Sequence, residues 1–255
     1  MQRHLLARAM LALLLAAPGA HAQTAQGAAA AAANAVDPAS VQALKDMGAS
    51  LQSLKRFHVS TELTGERVLA DGQKLQHSAS ASVDVDRPNR IRVKMRSPRA
   101  ERELIYDGKK VTLFTPAQKY YSTVEFSGTL GELIGKLQES YDVEIPLADL
   151  FLWGTPAAPL DKIDSAMNAG QDFVGGDLCD HYAFRQGMAD WQIWISAGGK
   201  PLPRKLVIIN RSDEARPQSV SFINWNLNPA SNDATFSFKP PAGSKAIEMV
   251  ARKSR

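Results

Sequence analysis

The side chains that could carry chemistry are few and scattered. Cys179 and His181 stand two apart in an alternating segment, so both point to one face of a strand. That makes a thiol–imidazole pair conceivable. A reactive cysteine needs an activating environment, and the favoured alternative is a packed Cys beside a partly exposed His. Downstream of residue 22 the other histidines are His58 and His77. The three fall on different predicted strands without metal-ligand spacing. There is no H-E-x-x-H, no G-x-S-x-G elbow and no phosphate loop. Asp142, Glu144 and Asp149 read as an acid cluster, but they lie at predicted helix boundaries, where capping and solvation account for them. Trp153, Trp191, Trp194 and Trp225 either line an apolar pocket or pack a core. No cofactor or metal is called for, and an enzyme is the least favoured class.

Charge and cysteine content narrow the field further. A lone cysteine excludes an internal disulfide and a cysteine-rich metal site. The net charge of +4 includes Arg3 and Arg8 of a segment expected to be removed. The remaining balance is too mild to imply nucleic acid. Residues 1–22 read as a secretory signal: a polar start at Arg3, His4 and Arg8, an apolar run Leu11–Ala17, a break at Pro18-Gly19, and the small-x-small site Ala20-His21-Ala22. The run is shorter than the ~20 residues a bilayer span needs. No Cys stands at the cleavage point, so a lipid anchor is not expected there. The expected location is the periplasm, and the chain is not expected to be an integral membrane protein.

Residues 23–36 are Ala-rich, with nothing to bury, and are expected to form a mobile linker. Asp37 and Pro38 then start a helix of about 16 residues, with Val41, Leu44, Met47, Leu51 and Leu54 at helical spacing. Beyond it the period switches to 2. Strands are expected over Phe57–Leu63, Ser78–Asp86 and Arg90–Arg96, each with one wet face. If the three-residue loop Arg87-Pro88-Asn89 is symmetric about Pro88, Asp86 faces Arg90 and Asp84 faces Arg92. Val85 then faces Ile91, and Val83 faces Val93. The basic stripe on Arg90, Arg92, Lys94 and Arg96 is thereby explained as a solvated face, with anionic lipid heads or an acidic partner as the alternative. Asp107-Gly108 marks a second hairpin, and Tyr120–Val124 a further strand.

A helical insert is expected at about 127–165. Thr129 and Glu132 form a capping-box pattern ahead of Leu130, Leu133, Ile134, Leu137 and Tyr141. Pro146 is expected to start a short helix carrying Leu147, Leu150 and Phe151, and Leu160 and Ile163 a third helical turn. Strands resume at Cys179–Arg185, Trp191–Ser196, Arg204–Asn210 and Val220–Trp225, with Phe236–Phe238 as a last short strand and a fraying basic tail over 246–255.

The order Arg87-Pro88-Asn89, Asp107-Gly108-Lys109 with its Phe-Thr-Pro turn, and Phe236-Ser237-Phe238-Lys239-Pro240-Pro241-Ala242-Gly243, after a helix ending Ser53 to His58, resembles the periplasmic lipoprotein carrier LolA and its relatives. The block Tyr141–Trp153, the run Cys179–Arg185 and Trp191–Ile195 are more similar still to the predicted periplasmic proteins of domain of unknown function 2092. The resemblance covers about residues 37–245. It implies a mainly β, α+β fold: a curved antiparallel sheet of about 9–11 strands forming a half-barrel, LolA/LolB-like, with helices covering the concave face. It also implies an apolar cavity, for which Val59, Val83, Val93, Met95, Leu133, Leu137, Phe151, Trp153, Trp191 and Ile193 are the candidate lining. Arg87 matches the functional arginine of the carriers' Arg-Pro-Asn turn. It is expected either to bond carbonyls near 146–155 as a lid latch or to pair with Asp86 or solvent. The implied function is a soluble periplasmic carrier or chaperone for a lipid or the acyl chains of a lipoprotein, with a membrane-bound partner protein as a further candidate. The alternative is a non-enzymatic sensor or interaction module that uses the fold as a docking surface.

Overall fold

The computed structural model describes residues 35–141, 143 and 145–251. The leader, most of the Ala-rich linker, Asp142, Glu144 and the last four residues of the tail lie outside the described residues.

Asp37 caps the first helix, α1 (Pro38–Ser53), by accepting from the backbone N–H groups of Ala39 and Ser40, both at 3.1 Å. The Ser40 hydroxyl also donates to it, and these bonds hold the Asp37 carboxyl below its ordinary pKa. The apolar stripe of α1 is buried through Leu44, Met47 and Leu51. Six strands follow: β1 (Arg56–Val68), β2 (Lys74–Asp86), β3 (Arg90–Arg96), β4 (Glu101–Tyr106), β5 (Lys110–Thr115) and β6 (Tyr120–Glu125). Helix α2 (Leu130–Tyr141) and two 3-10 turns, Ala148–Phe151 and Leu160–Lys162, lead to a second set: β7 (Ser165–Val174), β8 (Asp177–Gln186), β9 (Ala189–Ser196), β10 (Pro203–Asn210) and β11 (Gln218–Asn226). A two-residue strand, β12 (Lys245–Ala246), ends the fold.

All twelve strands make one open, curved sheet in the order β12-β6-β5-β4-β3-β2-β1-β11-β10-β9-β8-β7. The two sets meet where β1 pairs antiparallel with β11, Val59 opposite Trp225. Consecutive antiparallel pairing accounts for the rest, except that β12 lies parallel to β6.

The β2–β3 hairpin has the register expected from its sequence. Asp86 faces Arg90, Asp84 faces Arg92, Val85 faces Ile91 and Val83 faces Val93, with all four apolar residues buried. The ion pairs on the wet face cross to neighbouring strands as well. Asp86 holds both Arg90 and Arg56 of β1. Arg92 pairs with Glu103 of β4 at 2.5 Å, and Asp84 bonds His58 of β1 at 2.8 Å. Arg56 and His58 stand directly opposite Asp86 and Asp84 across β1–β2, whereas Glu103 lies diagonal to Arg92 across β3–β4, so partners on both flanking strands compete for these charges.

Three expectations need correction. The sheet has twelve strands, not nine to eleven. β7 lacks the usual signal because it is an edge strand whose residues 167–173 are all exposed, so nothing selects an apolar face there. Phe236–Phe238 is not a strand: a 3-10 turn, Asp233–Phe236, forms behind an Asn232–Thr235 capping box and buries Phe236. Phe238 instead packs its ring 5.4 Å from Phe114 and 5.3 Å from Tyr121. Pro146 does not open a helix either: Leu147 sits at φ 59°, and the 3-10 turn begins after it. Both chain ends of the domain join sheet edges. Val36 bridges Ala166 of β7, and the Ile247 N–H donates to the Tyr121 carbonyl of β6 at 2.8 Å.

The main core joins α1, α2 and one face of the sheet, with Leu44, Met47, Leu133 and Leu137 among the same buried neighbours as Val59, Val83 and Ile193. A smaller cluster of Val174, Cys179, Trp194 and Val207 forms on the opposite face.

Candidate functional site

The segment from Gly128 through α2 to Gly154 is tied down at two places. The Thr129–Glu132 capping box starts α2, with the Thr129 N–H donating to Glu132 Oε2 at 2.7 Å. The buried Tyr106 hydroxyl donates to the Gly128 carbonyl at 2.8 Å and accepts from the Gly128 N–H at 3.1 Å. Further on, Gly154 lies directly against Gly48 of α1. A Cβ on Gly48 would stand 2.5 Å from Gly154 N, and one on Gly154 would stand 2.4 Å from the Gly48 carbonyl oxygen. Gln52 Nε2 donates to the Trp153 carbonyl at 2.7 Å beside this contact. Only two glycines allow backbone to meet backbone here, and Gly154 also needs its φ of +78°.

Between this segment, Met47 of α1 and strands β9–β11 lies a cavity of about 290 Å³. Leu147, Leu150, Leu152 and Trp153 form one wall, and Trp191, Ile193, Leu206 and Ile223 are on the sheet side. Trp153 and Trp191 lie 5.7 Å apart by ring centroids, and Phe184 stacks on Trp191 at 4.2 Å. Trp225 donates its indole N–H to the carbonyl of the lining residue Pro203 at 2.8 Å and packs 5.4 Å from Phe57. The polar side chains in the described lining are Asp149 and Gln186. Gln186 spends its amide N–H on the Pro159 carbonyl. Asp149 is exposed, although packing on one side of its carboxyl pushes its pKa above the ordinary value.

The expected lining residues therefore divide. Trp153, Trp191 and Ile193 meet in this cavity. Val93 and Met95 line a separate, smaller one of about 50 Å³, with Leu104, Ile145 and Pro146. Val59, Val83, Leu133, Leu137 and Phe151 are packed into the main core and line neither. Asp149, expected to serve a helix boundary, does sit in the first turn of a 3-10 segment, but it also lines the cavity. The Leu-rich spacing of 147–152 carried the remaining wall. Nothing in the sequence marked Met47, Leu206 or Ile223 as lining rather than core.

Arg87 follows neither expected pairing as stated. Asp86 is taken by Arg56 and Arg90. The guanidinium instead lies over the Phe151 ring, 5.7 Å from its centroid. Nε and Nη2 are buried and form no hydrogen bond among the described residues, so at these atoms the expected bonds to carbonyls of 146–155 are not made. Burial works against the charged form and holds the Arg87 pKa below its ordinary value. The turn itself is docked on both sides: the Arg87 N–H donates to the Lys55 carbonyl, and the Pro88 carbonyl accepts from the Leu130 N–H that begins α2.

Cys179 and His181 do not form a reactive pair. Cys179 is fully buried in the smaller cluster, and burial pushes its thiol pKa up, away from the nucleophilic thiolate. His181 stacks on Trp194 at 4.0 Å and bonds Gln192 at 2.9 Å.

These features define a mainly β protein built on one open, curved sheet, with an apolar cavity held between the sheet and a helical connection. The chain belongs to the family described as predicted periplasmic protein, domain of unknown function 2092, whose model matches residues 40–250. No curated protein matches it in sequence. Among solved structures it is similar to the lipoprotein LppX of Mycobacterium tuberculosis, at 14% identity over 76% of this chain and 98% of that one, TM-score 0.48. It is also similar to an uncharacterized conserved protein of Thermus thermophilus, at 10% identity over 81% and 97% of the two chains, TM-score 0.46. A LolA superfamily protein of Nitrosomonas europaea is similar at 9% identity over 78% and 97%, TM-score 0.38. No helix among the described residues is long and apolar enough to cross a membrane.

Proposed function

We propose that the protein is a periplasmic carrier or chaperone that shelters the alkyl part of a lipid, or of a lipoprotein's acyl chains, in the cavity beneath residues 147–159. The single observation behind this reading is the cavity's composition: apolar walls from α1, the helical connection and β9–β11, with two polar side chains in the described lining. Its volume of about 290 Å³ suits roughly ten methylenes, if each takes about the ~30 Å³ of a water. At ≈ 0.8 kcal/mol per buried methylene this gives about 8 kcal/mol before the costs of ordering. Binding therefore needs no catalytic group. In this reading the sheet is a half-barrel, α1 and α2 cover its concave side, and the connection moves as a lid. Arg87, stacked on Phe151, is the contact that lid movement breaks. Export rests on the leader at 1–22, and the family's description as predicted periplasmic agrees with it.

One observation favours a second reading. Leu133, Leu137 and Phe151 are almost fully buried in the main core, so the space they occupy against the sheet is filled. A sensor or interaction module that docks a partner protein, with no cargo, would need no more room than that. Native mass spectrometry of the protein purified from periplasm, followed by lipid extraction, separates the two. The carrier reading expects a bound acyl species. A ligand-free protein that co-purifies with one fixed partner would favour the docking module.

A further inference from the structure

The lining of the cavity is buried at Met47, Ile193 and Ile223, and exposed at Asp149, Ala157 and Pro159 on the connection and at Ile208 on the sheet. Exposed lining residues mark where a cavity meets solvent. Gln186 at the end of β8, Ala189 at the start of β9 and Ile208 near the end of β10 form the sheet side of that mouth, opposite the loop 155–159. Its rim is apolar: Ile208 is 37% exposed, and Met188, in the turn between Gln186 and Ala189, is 60% exposed. The loop is anchored at both ends. Upstream, Gly154 rests on Gly48. Downstream, the Asp164 N–H donates to the Arg185 carbonyl at 2.8 Å, and the Gly187 N–H donates to the Asp164 carboxylate at 2.7 Å. Between these anchors the chain bonds to itself: the Ala157 N–H donates to Thr155 Oγ1 at 3.2 Å, and the Ala158 N–H to the Thr155 carbonyl at 3.1 Å. Among the described residues, one hydrogen bond crosses from 155–163 to the sheet: Gln186 Nε2 donates to the Pro159 carbonyl at 2.8 Å. It is exposed, so water competes for both partners and opening it costs little.

We propose that the loop 155–159 is the gate through which an alkyl chain enters and leaves the cavity, and that Gln186 is its latch. The inference rests on the alkyl-site reading above and adds the route of entry to it. Opening breaks the Gln186–Pro159 bond, while the loop's own turns travel with it and keep their backbone groups paired. Phe151, upstream of Gly154, stays in the core with Arg87 over its ring, so the gate moves less of the chain than a shift of the whole connection. The latch closes the empty and the loaded cavity alike. Gln186 therefore sets how fast a chain exchanges and leaves its affinity nearly unchanged.

Stopped-flow mixing of the full exported chain with dansyl-labelled undecanoic acid, followed by displacement with unlabelled dodecanoic acid, reads entry and release separately. Gln186→Met keeps the length of the side chain and removes its N–H. Both rates are expected to rise about fivefold, within the range one hydrogen bond commonly contributes, while their ratio stays nearly constant. A second arm blocks the mouth: the Ala157→Cys variant carrying a bulky maleimide at this exposed lining position should slow both rates. Cys179 is buried, so the unaltered chain treated with the same maleimide is the control. Should Gln186→Met not fold by circular dichroism, the Ala157 arm decides. Unmoved rates in a folded Gln186→Met protein, or equal rates before and after labelling at position 157, would overturn the gate and leave the alkyl site standing. Failure of the probe to bind the unaltered chain would overturn both.

Discussion

Gly48→Ala is expected to destabilise the protein, although alanine is the better helix former. In mid-helix the exchange of glycine for alanine ordinarily gains about 1 kcal/mol. At position 48 the added methyl would stand 2.5 Å from Gly154 N and 2.8 Å from its Cα, both backbone atoms that cannot swing aside. The connection must then lift off α1, losing the Gln52–Trp153 bond. Overpacking of this kind costs about 1–3 kcal/mol. Gly154→Ala should be worse, because a clash 2.4 Å from the Gly48 carbonyl adds to a φ of +78° that costs non-glycine residues ~1 kcal/mol or more. The control is Gly135→Ala in α2, where a Cβ would meet nothing within 4 Å and the ordinary gain should appear. Urea denaturation of the three variants measures the signs. A Gly48→Ala protein as stabilised as Gly135→Ala would mean that the connection does not rest on α1 as described.

Arg87→Leu is expected to go the other way, raising stability by about 1–3 kcal/mol, the usual cost of buried polar groups left without partners. The variant removes Nε and Nη2, which are buried without hydrogen bonds among the described residues, and keeps an apolar side chain against Phe151. The backbone contacts of the turn to Lys55 and Leu130 do not involve the side chain and should persist. The second readout is exchange of a fluorescent fatty acid or alkylamine. If the Arg87–Phe151 contact is what lid movement breaks, the exchange rate should change in the folded variant. Loss of stability would show that the guanidinium makes an attractive contact. Unchanged stability together with unchanged exchange would remove Arg87 from the mechanism.

The parts of the fold that were legible in the sequence are those governed by local rules. Asp37-Pro38 fixed where α1 begins, and the pairing of Asp84 and Asp86 with arginines and of valines with apolar partners fixed the β2–β3 register. Thr129 and Glu132 marked the start of α2 for the same reason. What failed depended on distant neighbours. β7 is held by β8 on one side only, and an edge strand needs no apolar face of its own. Phe236 and Phe238 alternate like strand residues, yet the Asn232–Thr235 capping box turns the chain there. Of the ten expected lining residues, Trp153, Trp191 and Ile193 line the cavity, Val93 and Met95 line the smaller one and five pack the core, because inward positions hold both core and cavity. Whether Leu137 or Leu206 meets a neighbour or open space depends on where the connection lies, and the Gly48–Gly154 contact decides that. No spacing in the sequence relates those two glycines.

In the proposed carrier, the cavity under residues 147–159, and not another apolar surface of the sheet, holds an alkyl chain. Photolabelling with a dodecyl probe carrying a terminal diazirine, followed by peptide mass spectrometry, tests it directly. The opposite face offers a competing surface, where Phe222 is exposed beside Lys205 and Trp194, and Phe173 stands out on the β7 edge. Labels are expected within Leu147–Pro159 and on the cavity residues of β9–β11, Trp191, Ile193, Leu206 and Ile223, competed away by unlabelled dodecyl ligand. Labels confined to the Trp194–Phe222 face or to β7, with the cavity residues unmodified, would contradict it.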